Sequence, residues 1–220
     1  MKNLNQLLLD FNYEQNFKDD DFYVGKSNYY TFELINKWPI WEKNFLNISG
    51  EKFSGKTHLT NIFLKKFNGV RIESSLLNDE NIKAIKPYQN IVLENLGLDV
   101  NEKLIYTLFN IIDQDNKFLV ITSTTPIAEI KFQLEDLRSR TKNCLLTKIE
   151  NPDDELMFAL ILKNLSDRQI TLDKKLINFI IKRVERSYGK IFEFIYKIDK
   201  ISLKKKKSID FKIINEALEK

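Results

Sequence analysis

The sequence predicts an α/β protein, with a five-stranded parallel sheet and flanking helices, followed by a small all-helical domain. Short apolar runs alternate with segments of helical spacing, which is typical of parallel strands joined by crossover helices. A glycine-rich loop follows the first of those runs. After residue 150 the strand-like runs stop, and apolar residues recur only at helical spacing.

Five apolar runs have the length of buried strands. They are residues 45–49, 70–72, 90–93, 118–122 and 144–149. Residues 58–67 and 104–112 between them show helical spacing. Asp153 has the character of a helix N-cap, and four helical patterns follow it. We therefore divide the chain into a tail (1–20), an α/β domain (21–150) and a helical domain (151–220).

Composition excludes several classes of protein. A chain of 220 residues with 43% hydrophobic content can bury one core and a small appendage. The net charge of +4 is too small to indicate a nucleic-acid binder by itself. A single cysteine, Cys144, excludes an internal disulfide. No run approaches the roughly 20 apolar residues that span a bilayer. A soluble, cytoplasmic protein is expected.

Residues 50–57, Gly-Glu-Lys-Phe-Ser-Gly-Lys-Thr, match the phosphate-binding loop G-x-x-x-x-G-K-[ST] between a predicted strand and a predicted helix. Gly50, Ser54 and Gly55 belong to the turn whose backbone amides face the phosphates. Lys56 is expected to reach the β- and γ-phosphates, and the Thr57 hydroxyl to hold Mg²⁺. The loop predicts bound ADP or ATP with Mg²⁺; a chance glycine-rich turn is the alternative.

An acidic residue is expected at the end of a strand beside this loop, and Glu94 is the candidate, followed by Asn95. The usual arrangement is an aspartate that holds Mg²⁺ and a second acid that activates water. Glu94 is one methylene longer than aspartate, and Asn95 has no carboxylate to act as a general base. We predict nucleotide binding with poor hydrolysis. A strand-end carboxylate facing water is the alternative for Glu94.

The sequence resembles the AAA+ ATPases of the bacterial replication-initiator DnaA family over nearly its whole length, and more narrowly the short regulators of the Hda type. The segments that carry this resemblance are residues 22–28, Trp38 and Trp41, and residues 55–59, 94–95, 122–126, 137–140 and 151–155. The resemblance implies a P-loop NTPase base with a helical lid. It also implies that Tyr23 and Val24 lie near the nucleotide base.

Two positions depart from the family pattern. The sensor-1 segment usually presents Asp-Arg where this chain has Thr124 and Thr125. The sensor-2 arginine of the lid falls at Gly189 or Lys190, and either Lys190 or Arg186 remains a candidate substitute. Both departures further favour weak hydrolysis.

Residues 137–140, Leu-Arg-Ser-Arg, resemble the segment that carries the family's arginine finger. The resemblance implies that Arg140 acts in trans, on ATP bound to DnaA. Such a finger raises the rate of nucleotide hydrolysis by roughly 10³- to 10⁵-fold. From the residues alone, Arg138 and Arg140 also fit solvated arginines at a helix end.

Residues 6–11, Gln-Leu-Leu-Leu-Asp-Phe, resemble the peptide that binds the DNA sliding clamp, the β subunit of DNA polymerase III. An extended tail can insert Leu9 and Phe11 into an apolar pocket while the Gln6 amide makes polar contacts, with Leu7 beside it. The alternative is that Leu7 and its neighbours fold onto the domain as core residues.

These features predict a negative regulator of replication initiation that binds the clamp and stimulates ATP hydrolysis by DnaA. The alternatives are a DnaA-like initiator or helicase-loader ATPase acting on DNA, and an autonomous ATPase of an unrelated process. DnaA carries a helix-turn-helix module after its lid, and we expect no room for one in 220 residues. Direct DNA binding is therefore expected to be weak or absent. Homo-oligomer formation and the preference for ADP or ATP stay open.

Overall fold

The computed structural model describes residues 22–219. The tail predicted for residues 1–20 lies outside the described residues, and so does its clamp-binding segment with Gln6, Leu7, Leu9 and Phe11.

Five strands form one parallel sheet in the order β2-β3-β4-β1-β5, which confirms the predicted fold class. They are β1 (Phe45–Gly50), β2 (Val70–Glu73), β3 (Asn90–Leu96), β4 (Phe118–Ser123) and β5 (Leu145–Ile149). Each predicted run becomes a strand whose ends move by at most three residues, because its apolar side chains are buried.

Helices flank the strands and make up the last third of the chain. The helices among the strands are α1 (Tyr29–Asn36), α2 (Lys56–Phe67), α3 (Asp79–Ala84), α4 (Glu102–Gln114) and α5 (Glu135–Thr141). Then follow α6 (Asp154–Asp167), α7 (Lys174–Ile181), α8 (Tyr188–Lys205) and α9 (Phe211–Glu219). Sequence reasoning gave no bounds for α1, α3 and α5, in each of which at most two residues are buried. Between residues 22 and 219, no helix is long and apolar enough to cross a membrane.

The sheet is covered on both faces by helices, and strand alternation decides which side chain meets which helix. On one face, Leu119 and Ile121 of β4 share a core cluster with Phe109 of α4. On the other face, Val120 of β4 packs in a cluster with Phe63 of α2. The phosphate loop that precedes α2 is therefore mounted on two rigid elements, β1 and α2.

The helices α6 to α9 share a separate apolar cluster that includes Met157, Ile177, Ile195 and Ile214. The predicted N-cap holds, since the Asp153 carboxylate accepts a hydrogen bond of 2.9 Å from the amide of Leu156. Domain division at residue 150 stays a prediction.

A buried asparagine in the middle of β1 ties this strand to the carboxyl end of β4. The Asn47 side chain is fully buried; its amide donates to the carbonyl of Ile121 (3.1 Å) and the hydroxyl of Ser123 (2.9 Å). Its oxygen accepts from the backbone amide of Ile127 at 2.8 Å. One side chain therefore holds together the strand ends and the turn that follows β4.

We expect Asn47→Ala to lower the free energy of unfolding by about 2–4 kcal/mol, because it leaves buried polar groups without partners. Denaturant unfolding measures this loss. Asn44→Ala is the matched control, since Asn44 makes an exposed hydrogen bond to Asn116, and it should change stability by less than about 0.5 kcal/mol. Equal losses in the two variants would contradict the role given to Asn47.

Candidate functional site

The candidate site lies at the carboxyl edge of the sheet, where β1 ends at Gly50 and α2 begins at Lys56. After β1 the chain crosses to β2, which forms one edge of the sheet. The last strand, β5, pairs with β1 on its other side and forms the opposite edge. Such a reversal of strand order leaves a crevice in which α/β proteins bind ligands.

The loop between β1 and α2 has the features of an anion site. Gly55 has φ 92°, a left-handed conformation that favours glycine. No side chain caps α2, whose first-turn amides have no acceptors within the helix. The buried hydroxyl of Ser54 also has no hydrogen-bond partner among the described residues. These unused donors fit a phosphate-bearing ligand.

Lys56 is held inside this loop. Its ammonium group donates to the carbonyls of Gly50 and Glu51, each at 2.8 Å, and its side chain is buried. Burial lowers the pKa of Lys56 below its ordinary value, an effect that the carboxylates of Glu94 and Glu51 oppose. The ammonium group lies in the loop where the sequence predicts a phosphate. A phosphate there would compete with the two carbonyls for the hydrogen bonds of this group.

Glu94 does not face water, so the alternative of a solvated strand-end carboxylate is wrong. The side chain is 2% exposed, and its oxygens accept from the hydroxyls of Thr122 (2.7 Å) and Thr60. The guanidinium of Arg71 lies 3.5 Å away.

The structure also brings Glu94 to the predicted Mg²⁺ ligand, because the Thr57 hydroxyl lies 3.4 Å from its carboxylate. Sequence reasoning missed Thr60 and Arg71. Thr60 lies one turn after Thr57 on the same helix face, so helical spacing could have revealed it. Arg71 reaches the site from β2, and no local pattern indicates this contact.

Asn95 is directed away from the phosphate loop. Asn95 adopts φ 55° at the point where the register between β3 and β4 shifts. Because of this irregularity, its side chain points in a different direction from that of Glu94. Its amide donates to the carboxylate of Glu73, at 3.0 and 3.2 Å, on the outer strand β2. The structure therefore brings Glu94, but not Asn95, to Thr57 of the phosphate loop.

The sensor positions present no cation to the loop. Thr124 and Thr125 are exposed. In the lid, Lys190 pairs with Glu193 at 3.1 Å, which raises the pKa of Lys190, and Arg186 pairs with Asp154 at 2.8 Å. Both candidate substitutes for the sensor-2 arginine are thus engaged with carboxylates of the lid itself.

The segment of residues 22–28 packs between the phosphate loop and the lid. The Phe22 ring lies against Gly55 and meets the His58 ring edge-on at 5.2 Å. Tyr23 and Val24 are exposed. Tyr23 borders a cavity of about 430 Å³, which is otherwise lined by Asp154, Glu155, Phe158, Ala159, Asn178, Ile181 and Lys182 of α6 and α7. This cavity is large enough for a nucleobase.

Arg140 lies near the amino-terminal end of β1, and the phosphate loop follows the carboxyl end of this strand. Its guanidinium pairs with Asp113 and sits 5.4 Å from the centre of the Tyr106 ring. These groups border an open cavity of about 650 Å³ that also contacts Lys43 and Phe45 at the amino end of β1. At ~3.3 Å per residue, the length of β1 separates this cavity from the phosphate loop by roughly 17 Å.

Other reactive side chains are structural. Burial raises the pKa of the Cys144 thiol to about 12, so this thiol is not a nucleophile near neutral pH. Between residues 22 and 219 no cluster of histidine, cysteine or acidic side chains could hold a metal by itself.

No protein-family model matches the sequence. The chain is similar to DnaA of Thermoanaerobacter sp., with 24% identity over 90% of this chain and 51% of that protein. It is also similar to DnaA of Helicobacter hepaticus, with 27% identity over 78% of this chain and 42% of that protein. These similarities show homology to DnaA, although the chain spans about half the length of these relatives.

Solved structures show the same fold. Domain III of Thermotoga maritima DnaA has a TM-score of 0.73 and 20% identity, covering 92% of this chain and 95% of that one. A DnaA bound to AMPPCP and single-stranded DNA has a TM-score of 0.67 and 17% identity, covering 89% and 70%. The RuvB branch-migration motor of T. maritima has a TM-score of 0.68 and 16% identity, covering 89% and 69%. The fold is that of an AAA+ domain.

We expect the purified chain to hydrolyse ATP far more slowly than about one turnover per second, the lower end for typical enzymes. Glu94→Gln should leave that slow rate nearly unchanged but lower the free energy of unfolding by about 2 kcal/mol, because it weakens buried charge-assisted hydrogen bonds. A phosphate-release assay and denaturant unfolding measure the two effects, with Glu73→Gln as control. Brisk hydrolysis that Glu94→Gln abolishes would contradict this expectation.

Proposed function

We propose that this homologue of the DnaA AAA+ region binds ADP or ATP with Mg²⁺ and acts on DnaA as a negative regulator of replication initiation. The nucleotide lies on the phosphate loop, with Mg²⁺ at Thr57 and Glu94 and the base beside Tyr23 and Val24. Arg140 serves as an arginine finger in trans, and residues 6–11 tether the chain to the DNA sliding clamp.

The separation of Arg140 from its own phosphate loop is the observation that carries this proposal. The two features lie at opposite ends of β1, so Arg140 cannot serve the nucleotide bound to its own chain. The guanidinium borders an open cavity, and a third of its side chain is exposed to solvent. This placement suits a group that enters another subunit's site, where its charge stabilises the transferring phosphoryl group.

The weak hydrolysis that we expect of the chain itself supports a regulatory role. The Glu94 carboxylate is held by hydroxyl groups and by Arg71 of the same domain. Asn95 has no carboxylate, and its side chain points to Glu73 instead of the phosphate loop. The two candidate sensor-2 cations pair within the lid. A nucleotide held in this site would therefore stabilise a conformation more than it would be consumed.

The second candidate is a DnaA-like AAA+ initiator or loader ATPase that acts on DNA. One structural neighbour is a DnaA bound to AMPPCP and single-stranded DNA, and this favours the alternative. Fluorescence anisotropy with a labelled single-stranded oligonucleotide discriminates between the two. ATP-dependent binding at low micromolar concentration or tighter would support the alternative over the regulator.

Arg140→Ala should reduce stimulation of ATP hydrolysis by DnaA by at least about 10³-fold, because it removes the charge that acts in the transition state. The assay follows conversion of ATP on DnaA in the presence of clamp-loaded DNA. Arg138→Ala is the matched control, because within residues 22–219 Arg138 forms an exposed pair with Glu135 of the same helix at 3.3 Å, and it should retain stimulation. Full stimulation by Arg140→Ala would eliminate the finger assignment.

The variant Gln6→Ala, Leu9→Ala, Phe11→Ala should lose clamp binding by at least about 100-fold in Kd, because it removes both apolar anchors and the amide contact. Surface plasmon resonance with immobilised clamp measures the affinity. The unfolding midpoint should stay unchanged. A lower midpoint with unaltered clamp affinity would instead support the core alternative for Leu7 and its neighbours.

A further inference from the structure

Two side chains of α4 hold the guanidinium of Arg140. Tyr106 and Asp113 lie seven residues apart in this helix, which is close to two helical turns, so both leave the same helix face. Nη1 of Arg140 donates a hydrogen bond to the Asp113 carboxylate, and the guanidinium carbon lies 5.4 Å from the centre of the Tyr106 ring. A cation is attracted to an aromatic ring at this separation. Tyr106 and Asp113 therefore form a cradle for Arg140, made of one ring and one anion.

The helices that carry the cradle and Arg140 are anchored in one core. Four residues of α4 and one of α5 belong to the same buried apolar cluster, namely Ile105, Leu108, Phe109, Ile112 and Leu137. Because protein interiors are closely packed, neither helix can turn without disturbing this cluster. The cradle and the backbone of Arg140 therefore keep a fixed relative position.

The ion pair in the cradle is too weak to withhold the guanidinium from another site. The side chains of Arg140 and Asp113 are 33% and 46% exposed, and an exposed ion pair shifts an equilibrium by at most about fivefold. An arginine finger raises the rate by roughly 10³- to 10⁵-fold. The main effect of the pair is therefore on the directions that the Arg140 side chain samples.

Arg140 keeps donors for a phosphate while it lies in the cradle. The bond to Asp113 uses Nη1, so the N–H groups of Nη2 and Nε remain for a second acceptor. A guanidinium presents these groups in a rigid planar fork that suits phosphate oxygens. A long side chain that is already oriented also loses less conformational freedom on contact than one that is unrestrained. The cradle is therefore compatible with phosphate binding by the same guanidinium.

We propose that Asp113 and Tyr106 are positioning residues for Arg140, which orient the guanidinium in its open cavity for contact with the phosphates of another subunit. Asp113 fixes one nitrogen of the guanidinium, and the Tyr106 ring limits its tilt. Neither residue touches the reacting atoms. The inference rests on the proposed function, because it takes Arg140 as the finger that acts in trans.

The order parameter of the Arg140 Nε–H bond, from magnetic resonance relaxation of the full chain, tests the cradle without a partner. Asp113→Asn and Tyr106→Leu should each lower this order parameter by at least about 0.2, towards the flexible values below about 0.6. Asp136→Asn is the matched control, because it removes the same charge from the same cavity outside the ion pair, and it should change nothing. Unchanged values in both cradle variants would overturn the inference.

Stimulation of ATP hydrolysis by DnaA, measured at increasing concentrations of the chain, tests how the cradle is used. Both cradle variants should lower the maximal stimulated rate by about tenfold and leave the half-saturating concentration within about twofold, because only the direction of the arginine is lost. Asp136→Asn should alter neither quantity.

Failure of the inference and failure of the proposed function give different results in this assay. If the natural chain stimulates and both cradle variants reach an equal or higher maximal rate, the inference is overturned and the proposed function stands. If the natural chain gives no stimulation, the proposed function is refuted and the inference with it.

Discussion

The position of β1 between β4 and β5 in the sheet is the constraint on which the remaining architecture depends. It pairs in parallel with β4 on one side and with β5 on the other, and all six of its residues are buried. Its carboxyl end therefore presents the phosphate loop at the reversal of strand order, and its amino end borders the cavity of Arg140. Shifting β1 by one residue would exchange its buried faces and misplace both ends.

Buried charge is the physical basis for our expectation that the site binds nucleotide but hydrolyses it poorly. Glu94 and Lys56 are both removed from water, and each is satisfied by groups of its own chain. Burial without such partners would be strongly unfavourable, so the hydroxyls, Arg71 and the loop carbonyls stabilise the charges. In the function that we propose, the catalytic contribution comes from Arg140, at the opposite end of β1.

Strand positions and most lid helices could be predicted from the sequence, because burial on both faces produces continuous apolar runs and lid packing produces helical periodicity. Helix α5 was missed because its seven residues, Glu135–Thr141, are mostly polar and only two of them are buried. The sequence predicts Glu94 just beyond a strand of residues 90–93, whereas it lies inside β3, which continues to Leu96. The water-facing alternative arose because its partners come from α2, β2 and β4, which are apart in the chain.

The sequence by itself determined the phosphate loop, because eight contiguous residues specify a local backbone turn that requires no distant partner. Only the tertiary structure decided what surrounds that loop. The bonds of Glu51 to α8 span 136 to 138 residues, and the pairing of Arg140 with Asp113 spans 27. Contacts of this kind depend on how helices pack on the sheet and on the lid, and that packing is set by the whole core and by no local pattern.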